Sequence, residues 1–334
     1  MPGQREPRYA ALDLGTNNCR LLIARPDGDS FRVVDAFSRI VRLGEGIATT
    51  GNLTEGAMSR TLEALEICRR KIDERSIARV RLVTTEACRV AGNGTAFLAR
   101  VREELQLELE VLSRQKEAHL AAAGCAALAH RQAESVVLFD IGGGSTELVW
   151  LGVREAGARH ASGIEKRIRA WASLPIGVVT LAERHGGVEV TRSTFEEMVA
   201  ETLEGLQEFM KEAGRAVSAS GFHLLGTSGT VTTLGGLHLG LERYDRRKVD
   251  GLWMRKAEID RAIENLIAMP YEVRAANGCI GRDRADLVIA GAAIFEAIRR
   301  AFPAESMRIG DRGLREGMLI EMMGEDGVLG RGRR

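Results

Sequence analysis

The sequence holds no apolar run approaching 18 residues, no paired-cysteine motif and no excess of charge of either sign. Each absence removes a class of protein. Without a long apolar run nothing has the length that a helix needs to cross a bilayer, so no membrane partner is expected. The opening stretch MPGQREPRYA lacks the apolar h-region of a secretion signal, and export is not expected. The five cysteines (Cys19, Cys68, Cys88, Cys125 and Cys279) are odd in number, scattered and outside any C-x-x-C spacing. Neither a disulfide framework nor a zinc site is expected, and a reducing cytoplasm is the compartment that fits. Lys and Arg total 47 against 46 Asp and Glu, a net charge of +1. That balance excludes a globally basic nucleic-acid binder and requires any polyanion to be met by a local patch. What is left is a chain of 334 residues, 45% hydrophobic, expected to form one or two globular domains with full cores.

What is there begins with glycine. In LFDIGGGSTELVWL a buried-looking strand runs into Asp140 and then three glycines, Gly142, Gly143 and Gly144. Glycines at a strand end let backbone N–H groups approach a ligand closely, and an acid beside them commonly holds the metal that accompanies a phosphate. The plain alternative is a hairpin turn. A second copy argues against it: in LDLGTNNCRLLIA, Asp13, Gly15 and Leu21 match Asp140, Gly142 and Leu148 at a single offset of 127. A repeat of domain length predicts a duplicated fold with a cleft between the copies.

Alternation predicts strands over RYAALDL, CRLLIAR and FRVVDAF, then a helix over LTEGAMSRTLEALEICRRKIDE with Thr54 as N-cap. A strand ARVRLVTT, a helix NGTAFLARVREEL, a strand LELEVLS and an Ala-rich helix QKEAHLAAAGCAALAH complete a βββαβαβα half. The second half repeats this plan with added helices and ends on a strand SMRIG and a helix LREGMLIEMM. The domain break is expected between Ala121 and Ala133, and the tail GEDGVLGRGRR is expected to fray.

The segments DLGTNNCRLLIA, TTEACRVAGN, SRQKEAHL, FDIGGGSTELV, GTSGTVTTL, DRADLVIAGAAIFEAI and GDRGLREGML resemble, in order and spacing, the exopolyphosphatase/guanosine pentaphosphate phosphohydrolase family. The resemblance implies an α/β, duplicated actin-like (ribonuclease H-like) two-domain fold of the actin, sugar-kinase and heat-shock-chaperone superfamily. Its domains would span residues 1–125 and 126–310, with a C-terminal helix at about 311–325 packing back on the first. It further implies an enzyme, a phosphoric anhydride hydrolase that releases terminal phosphate from inorganic polyphosphate, or the 5′ γ-phosphate from guanosine pentaphosphate. Water would attack in the interdomain cleft with help from Mg2+ or Mn2+. The same resemblance admits guanosine tetraphosphate as a ligand and a homodimer as an assembly. Longer relatives append a helical C-terminal domain for which 334 residues leave no room, and a reduced grip on long chains is expected.

By that resemblance Glu117 is the catalytic acid, positioned to take a proton from water. Asp13, Gly15, Thr16, Asn17, Asn18 and Arg20 form the first phosphate loop. Thr84, Thr85, Glu86 and Arg89 form a strand-to-helix anion site in which Arg89 clamps phosphate. Gly142, Gly143, Gly144, Ser145 and Thr146 form the second phosphate cradle, with Asp140 on the metal; Glu147, which follows, either holds metal-bound water or faces solvent from the strand. Gly226, Ser228, Gly229 and Thr230 of GTSGT bind a further phosphate or cap a helix. Around Glu117 the sequence departs from the family pattern: Arg114, Gln115 and Lys116 replace a glycine and acids. More positive surroundings would favour the carboxylate and attract polyanions, at a cost in basicity. The basic clusters Lys166–Arg169, Arg246–Lys248 and Arg282–Arg284 are candidate polyphosphate paths or solvated faces. His119 is read as structural. Two other readings remain open, an ATP-dependent kinase of the same superfamily and a non-hydrolytic polyphosphate sensor.

Overall fold

The computed structural model describes residues 6–153 and 164–330. It divides into two compact units, Met1–Gly124 with Ala158–Ile164 and Leu314–Arg334, and Cys125–Gly157 with Glu165–Gly313.

The first unit is built on strands β1 (Arg8–Leu14), β2 (Asn18–Asp27), β3 (Ser30–Ile40), β4 (Ile77–Thr84) and β5 (Glu110–Val111), in sheet order β3-β2-β1-β4-β5. β1 and β2 are antiparallel, as are β2 and β3, whereas β4 and β5 continue parallel from β1. The second unit repeats the plan. Its strands are β6 (Ser135–Ile141), β7 (Thr146–Gly152), β8 (Ile168–Leu174), β9 (His223–Thr227), β10 (Trp253–Arg255) and β11 (Ser306–Gly310), in order β10-β11-β9-β6-β7-β8. From β8 to β11 this matches the first sheet strand for strand, and β10 is an addition on its edge. The two sheets with their helices make the duplicated actin-like α/β fold.

Register confirms the repeat at residue level. Asp13 pairs with Arg20 and Asp140 with Glu147, each pair 127 residues from its counterpart. The turns match as well: Gly15 N–H donates to the Asn18 carbonyl at 2.9 Å, and Gly142 N–H to the Ser145 carbonyl at 2.9 Å.

Period-two alternation sends the residues of β1 to two cores. Ala10, Leu12 and Leu14 pack with Leu62, Leu65 and Phe97 from the Glu55–Asp73 and Gly94–Leu105 helices. Tyr9 and Ala11 pack on the opposite face with Met318, Leu319 and Met322 of the Leu314–Glu325 helix. Each buried Leu, Met or Phe side chain contributes about 1.5–3 kcal/mol relative to exposure, enough to fix that helix on β1. Thr54 caps the first of these helices, accepting from Ala57 N–H at 3.3 Å.

The structure corrects two expectations and adds one helix. The predicted strand LELEVLS is paired over only two residues, Glu110 and Val111. The tail is packed as far as it is described: Asp326 accepts from Tyr9 Oη at 2.7 Å, Val328 and Leu329 lie against the second core, and Gly330 N–H donates to the Gly28 carbonyl at 3.0 Å. The residues beyond Gly330 lie outside the described ones. A helix at Val178–His185 had no counterpart in the sequence reading.

Candidate active site

In the first unit the candidate residues converge on the carboxyl ends of parallel strands. Asp13 lies near the end of β1, Thr84 ends β4, and Val111 of β5 pairs with Thr84 before the chain enters the Arg114–Cys125 helix. Thr84 Oγ1 donates to the Leu14 carbonyl at 3.0 Å, joining the ends of β1 and β4. Burial raises the Asp13 carboxyl above its usual range against the pull of Arg20 and Arg315, and Glu316 pushes in the same direction as burial.

The turn after β1 is held by the segment that follows β3. Val41 N–H and Arg42 N–H donate to the Asn17 carbonyl at 2.9 and 3.1 Å, and Gly44 N–H donates to the Thr16 carbonyl at 2.8 Å. With these carbonyls occupied, the loop is fixed by its acceptors. Asn17 Oδ1 is buried without a hydrogen-bond partner, and turning the amide presents two N–H donors at that point.

Glu117 lies in the first turn of the Arg114–Cys125 helix. It is 8% exposed, and its carboxylate accepts from Arg89 Nη2 at 3.1 Å. Ser113 Oγ accepts from Lys116 N–H at 3.2 Å and caps the helix, so the departure at Arg114, Gln115 and Lys116 leaves an orderly helix start. Lys116 Nζ pairs with Glu321 at 2.5 Å and Arg114 Nη2 with Glu86 Oε1 at 2.7 Å.

Arg89 is a hub. Its Nε donates to Glu86 Oε2 at 3.0 Å, its Nη2 to Glu86 and Glu117, and its Nη1 to the Leu112 carbonyl. Glu86 is ion-paired on both oxygens, with Arg114 on one and Arg89 on the other. Burial pushes the Glu86 carboxyl up, but the hydrogen bonds from Arg114 and Arg89 outweigh it and hold the carboxyl below its usual range. Thr85 is buried at the head of the short Glu86–Val90 helix.

In the second unit Asp140 and Glu147 face each other across β6 and β7, on the same side of the sheet. Glu147 is 2% exposed and accepts from Ser173 Oγ at 2.9 Å, so it does not face solvent. Among the described residues no group of three or more His, Cys, Asp or Glu could hold a metal. Two opposed carboxylates are nevertheless a fitting donor set for a hard cation such as Mg2+, which keeps most of its waters.

The glycine loop is braced from behind. Val178 N–H donates to the Gly142 carbonyl at 3.0 Å and Val179 N–H to the Gly143 carbonyl at 2.8 Å. Gly177 lies flush against the Gly143–Gly144 peptide, where a Cβ would collide with backbone. Ser145 is buried. Thr146 is turned inward, its Oγ1 donating to the Ile176 carbonyl at 2.7 Å, which commits that hydrogen to the scaffold.

GTSGT divides in two. Gly226 pairs with Phe139, whose ring would lie 2.6 Å from an added Cβ. Ser228 has φ +97° and a buried Oγ without a partner, Gly229 opens the Gly229–His238 helix, and Thr230 is buried in its first turn. Arg284 Nη1 lies 3.4 Å from where a Cβ on Gly229 would stand. Arg246 is engaged by Asp311 and Arg247 by Asp245, while Lys166 is exposed and Arg167 Nε donates to the Gly152 carbonyl at 3.1 Å.

The sequence reading missed Val41–Gly44, Gly177–Val179 and the pair Arg315 and Glu316. The signals were slight: a glycine shortly after the third strand of each half, Gly44 and Gly177, and the charges of LREGML.

Comparison with known proteins gives the family. The model of the Ppx/GppA phosphatase family matches residues 22–326. The chain is 30% identical to Exopolyphosphatase 2 of Mycobacterium tuberculosis, covering 95% of this chain and 99% of that one. It is 29% identical to the bifunctional 3-dehydroquinate synthase/phosphatase of Fusobacterium nucleatum over 93% of its own length, but spans only 46% of that protein. Among solved structures, an exopolyphosphatase from Cytophaga hutchinsonii matches with TM-score 0.84 at 25% identity, over 95% of this chain and 98% of that one.

Proposed function

The chain belongs to the Ppx/GppA phosphatase family, a family of hydrolases, and we propose that it releases terminal orthophosphate from inorganic polyphosphate by attack of water. The observation that carries this reading is the buried carboxylate of Glu117, held by Arg89 at the same sheet edge as the Asp13 loop. Glu117 takes the proton from the attacking water. Backbone N–H groups of the Gly15–Asn18 turn, with Arg89 and Arg20, stabilise the charge on the phosphoryl oxygens, and the Gly142–Ser145 turn of the second unit is a phosphate cradle of its own kind. Asp140 and Glu147 would hold a divalent cation, Mg2+ or Mn2+, which when bound would neutralise phosphoryl charge. The two compact units are read as the two domains of the duplicated fold, with the C-terminal helix part of the first.

The 5′ γ-phosphate of guanosine pentaphosphate is the second candidate substrate, since the transferred group is the same. Binding without turnover is favoured by one observation, the engagement of Glu117 by Arg89. No helix among the described residues is long and apolar enough to cross a membrane, and the cytoplasm is the proposed compartment. Phosphate release from tripolyphosphate, long-chain polyphosphate, guanosine pentaphosphate and ATP, each with and without Mg2+, tests the reading. Release from polyphosphate supports it; tight binding of polyphosphate without release favours the sensor, and release from ATP to an acceptor favours a kinase.

A further inference from the structure

Four side chains of the first unit form an alternating chain of charge, Arg114, Glu86, Arg89 and Glu117. Arg114 Nη2 and Nε donate to Glu86 at 2.7 and 3.4 Å. Arg89 donates to Glu86 through Nε at 3.0 Å and to Glu117 through Nη2 at 3.1 Å. The side chain of Arg114 is 42% exposed, whereas those of Glu86, Arg89 and Glu117 are 6%, 18% and 11% exposed. The chain thus runs from a half-open end at Arg114 inward to Glu117, with two cations and two anions in balance.

For Arg89 to donate to a phosphoryl oxygen it must give up hydrogen bonds that it now makes. Were it the sole cation on Glu86, leaving would strand a buried carboxylate, which is strongly unfavourable. Arg114 removes that obstacle because it stays on Glu86 when Arg89 leaves. Departure of Arg89 also removes one cation from Glu117, and a carboxylate with one ion pair fewer is a better acceptor for a proton from water.

We infer that Arg114 is a positioning residue which holds Glu86 so that an incoming terminal phosphoryl group can draw Arg89 away from Glu86 and Glu117, coupling substrate arrival to release of the base. This rests on the hydrolase reading for the role of Glu117. The part that concerns Arg114 and Arg89 is a statement about anion binding and is testable without turnover.

The test uses the full chain and tripolyphosphate. Titration calorimetry in the Glu117→Gln background, where hydrolysis is absent, compares Arg114 with Arg114→Ala, Arg114→Lys and the double variant Glu86→Gln/Arg114→Ala. KM and kcat are measured in parallel with Glu117 intact. Arg114→Ala is expected to weaken binding and raise KM by about tenfold, the lower end for loss of a charge-assisted hydrogen bond at Arg89, with kcat changed far less. Arg114→Lys recovers part of the loss. Glu86→Gln in the Arg114→Ala chain restores affinity to within about threefold of the parent, because a neutral amide no longer holds Arg89. A merely structural Arg114 would make the double variant worse, not better. Wild-type affinity in Arg114→Ala, or a double variant no tighter than Arg114→Ala, overturns the inference. Should Arg114→Ala fail to fold, Arg114→Gln with the same Glu86 partner is read by the same criteria. If the parent chain releases no phosphate from any substrate, the hydrolase reading fails while the calorimetry still decides the role of Arg114.

Discussion

Replacing Gly177 by alanine is a one-carbon perturbation whose effect can be worked from the structure. The added Cβ would stand 2.5 Å from Gly144 N and closer still to the Gly143 carbonyl group. Ordinary contact begins near 3.4 Å, so the loop or the Val178–His185 helix must move by about 1 Å. Forcing a methyl group into close-packed backbone costs about 1–3 kcal/mol. The shift also strains the bonds from Val178 and Val179 N–H to the Gly142 and Gly143 carbonyls, each worth about 0.5–1.5 kcal/mol. Together the destabilisation is about 2–6 kcal/mol if both bonds are lost, and the glycine loop loses its fixed geometry. Gly214→Ala is the control, because no atom lies within 4 Å of its Cβ position and its φ of −58° suits alanine. Thermal melting and phosphate release are measured on both. Gly177→Ala is expected to melt several degrees lower and to lose turnover at temperatures where it remains folded, while Gly214→Ala matches the parent. Melting and turnover of Gly177→Ala indistinguishable from the parent would refute the bracing role.

Other outcomes follow from the same geometry. Asp140→Asn should shift the Mg2+ concentration for half-maximal activity upward by about tenfold or more, since one of two opposed carboxylates is lost; an unchanged metal titration would move the cation elsewhere. His223 is buried, and burial holds its imidazole below the ordinary value of 6.5, with the ring bonded to Leu224 and to His130 N–H. The unfolded chain therefore takes up this proton first as pH falls, so the contribution of His223 is present above pH 6.5 and is lost below it, down to its folded pKa. Melting temperatures between pH 7.5 and 5 should fall less steeply in His223→Gln than in the parent; parallel curves would contradict the assignment.

How much of this was legible in the sequence depended on how local the cause was. The offset of 127 exposed the duplication because Asp13 and Asp140 sit at matching ends of matching strands, and the spacing within one hairpin is fixed by register. Thr54 was readable as a cap because it acts on a donor three residues away. Gly177 was not, because its reason for being glycine is the peptide at Gly143, brought near only when β8 folds back on β7. That Thr146 Oγ1 donates to the Ile176 carbonyl and that the Phe139 ring leaves no room for a side chain at Gly226 were equally out of reach of the motif. Arg114 looked like a charge added near Glu117; that its guanidinium reaches Glu86 depends on the packing of β5 and the helix after it, which no local pattern encodes.

The central claim is that a polyphosphate-hydrolysing site uses Glu117 as its base. The most direct test is single-turnover phosphate release from tripolyphosphate with Mg2+, comparing the parent with Glu117→Gln, alongside calorimetric binding of the same substrate. The account predicts release by the parent, loss of at least about a hundredfold in rate in Glu117→Gln, in the range of general-base catalysis, and binding retained within a few-fold. A Glu117→Gln chain that still releases phosphate near the parent rate would contradict it.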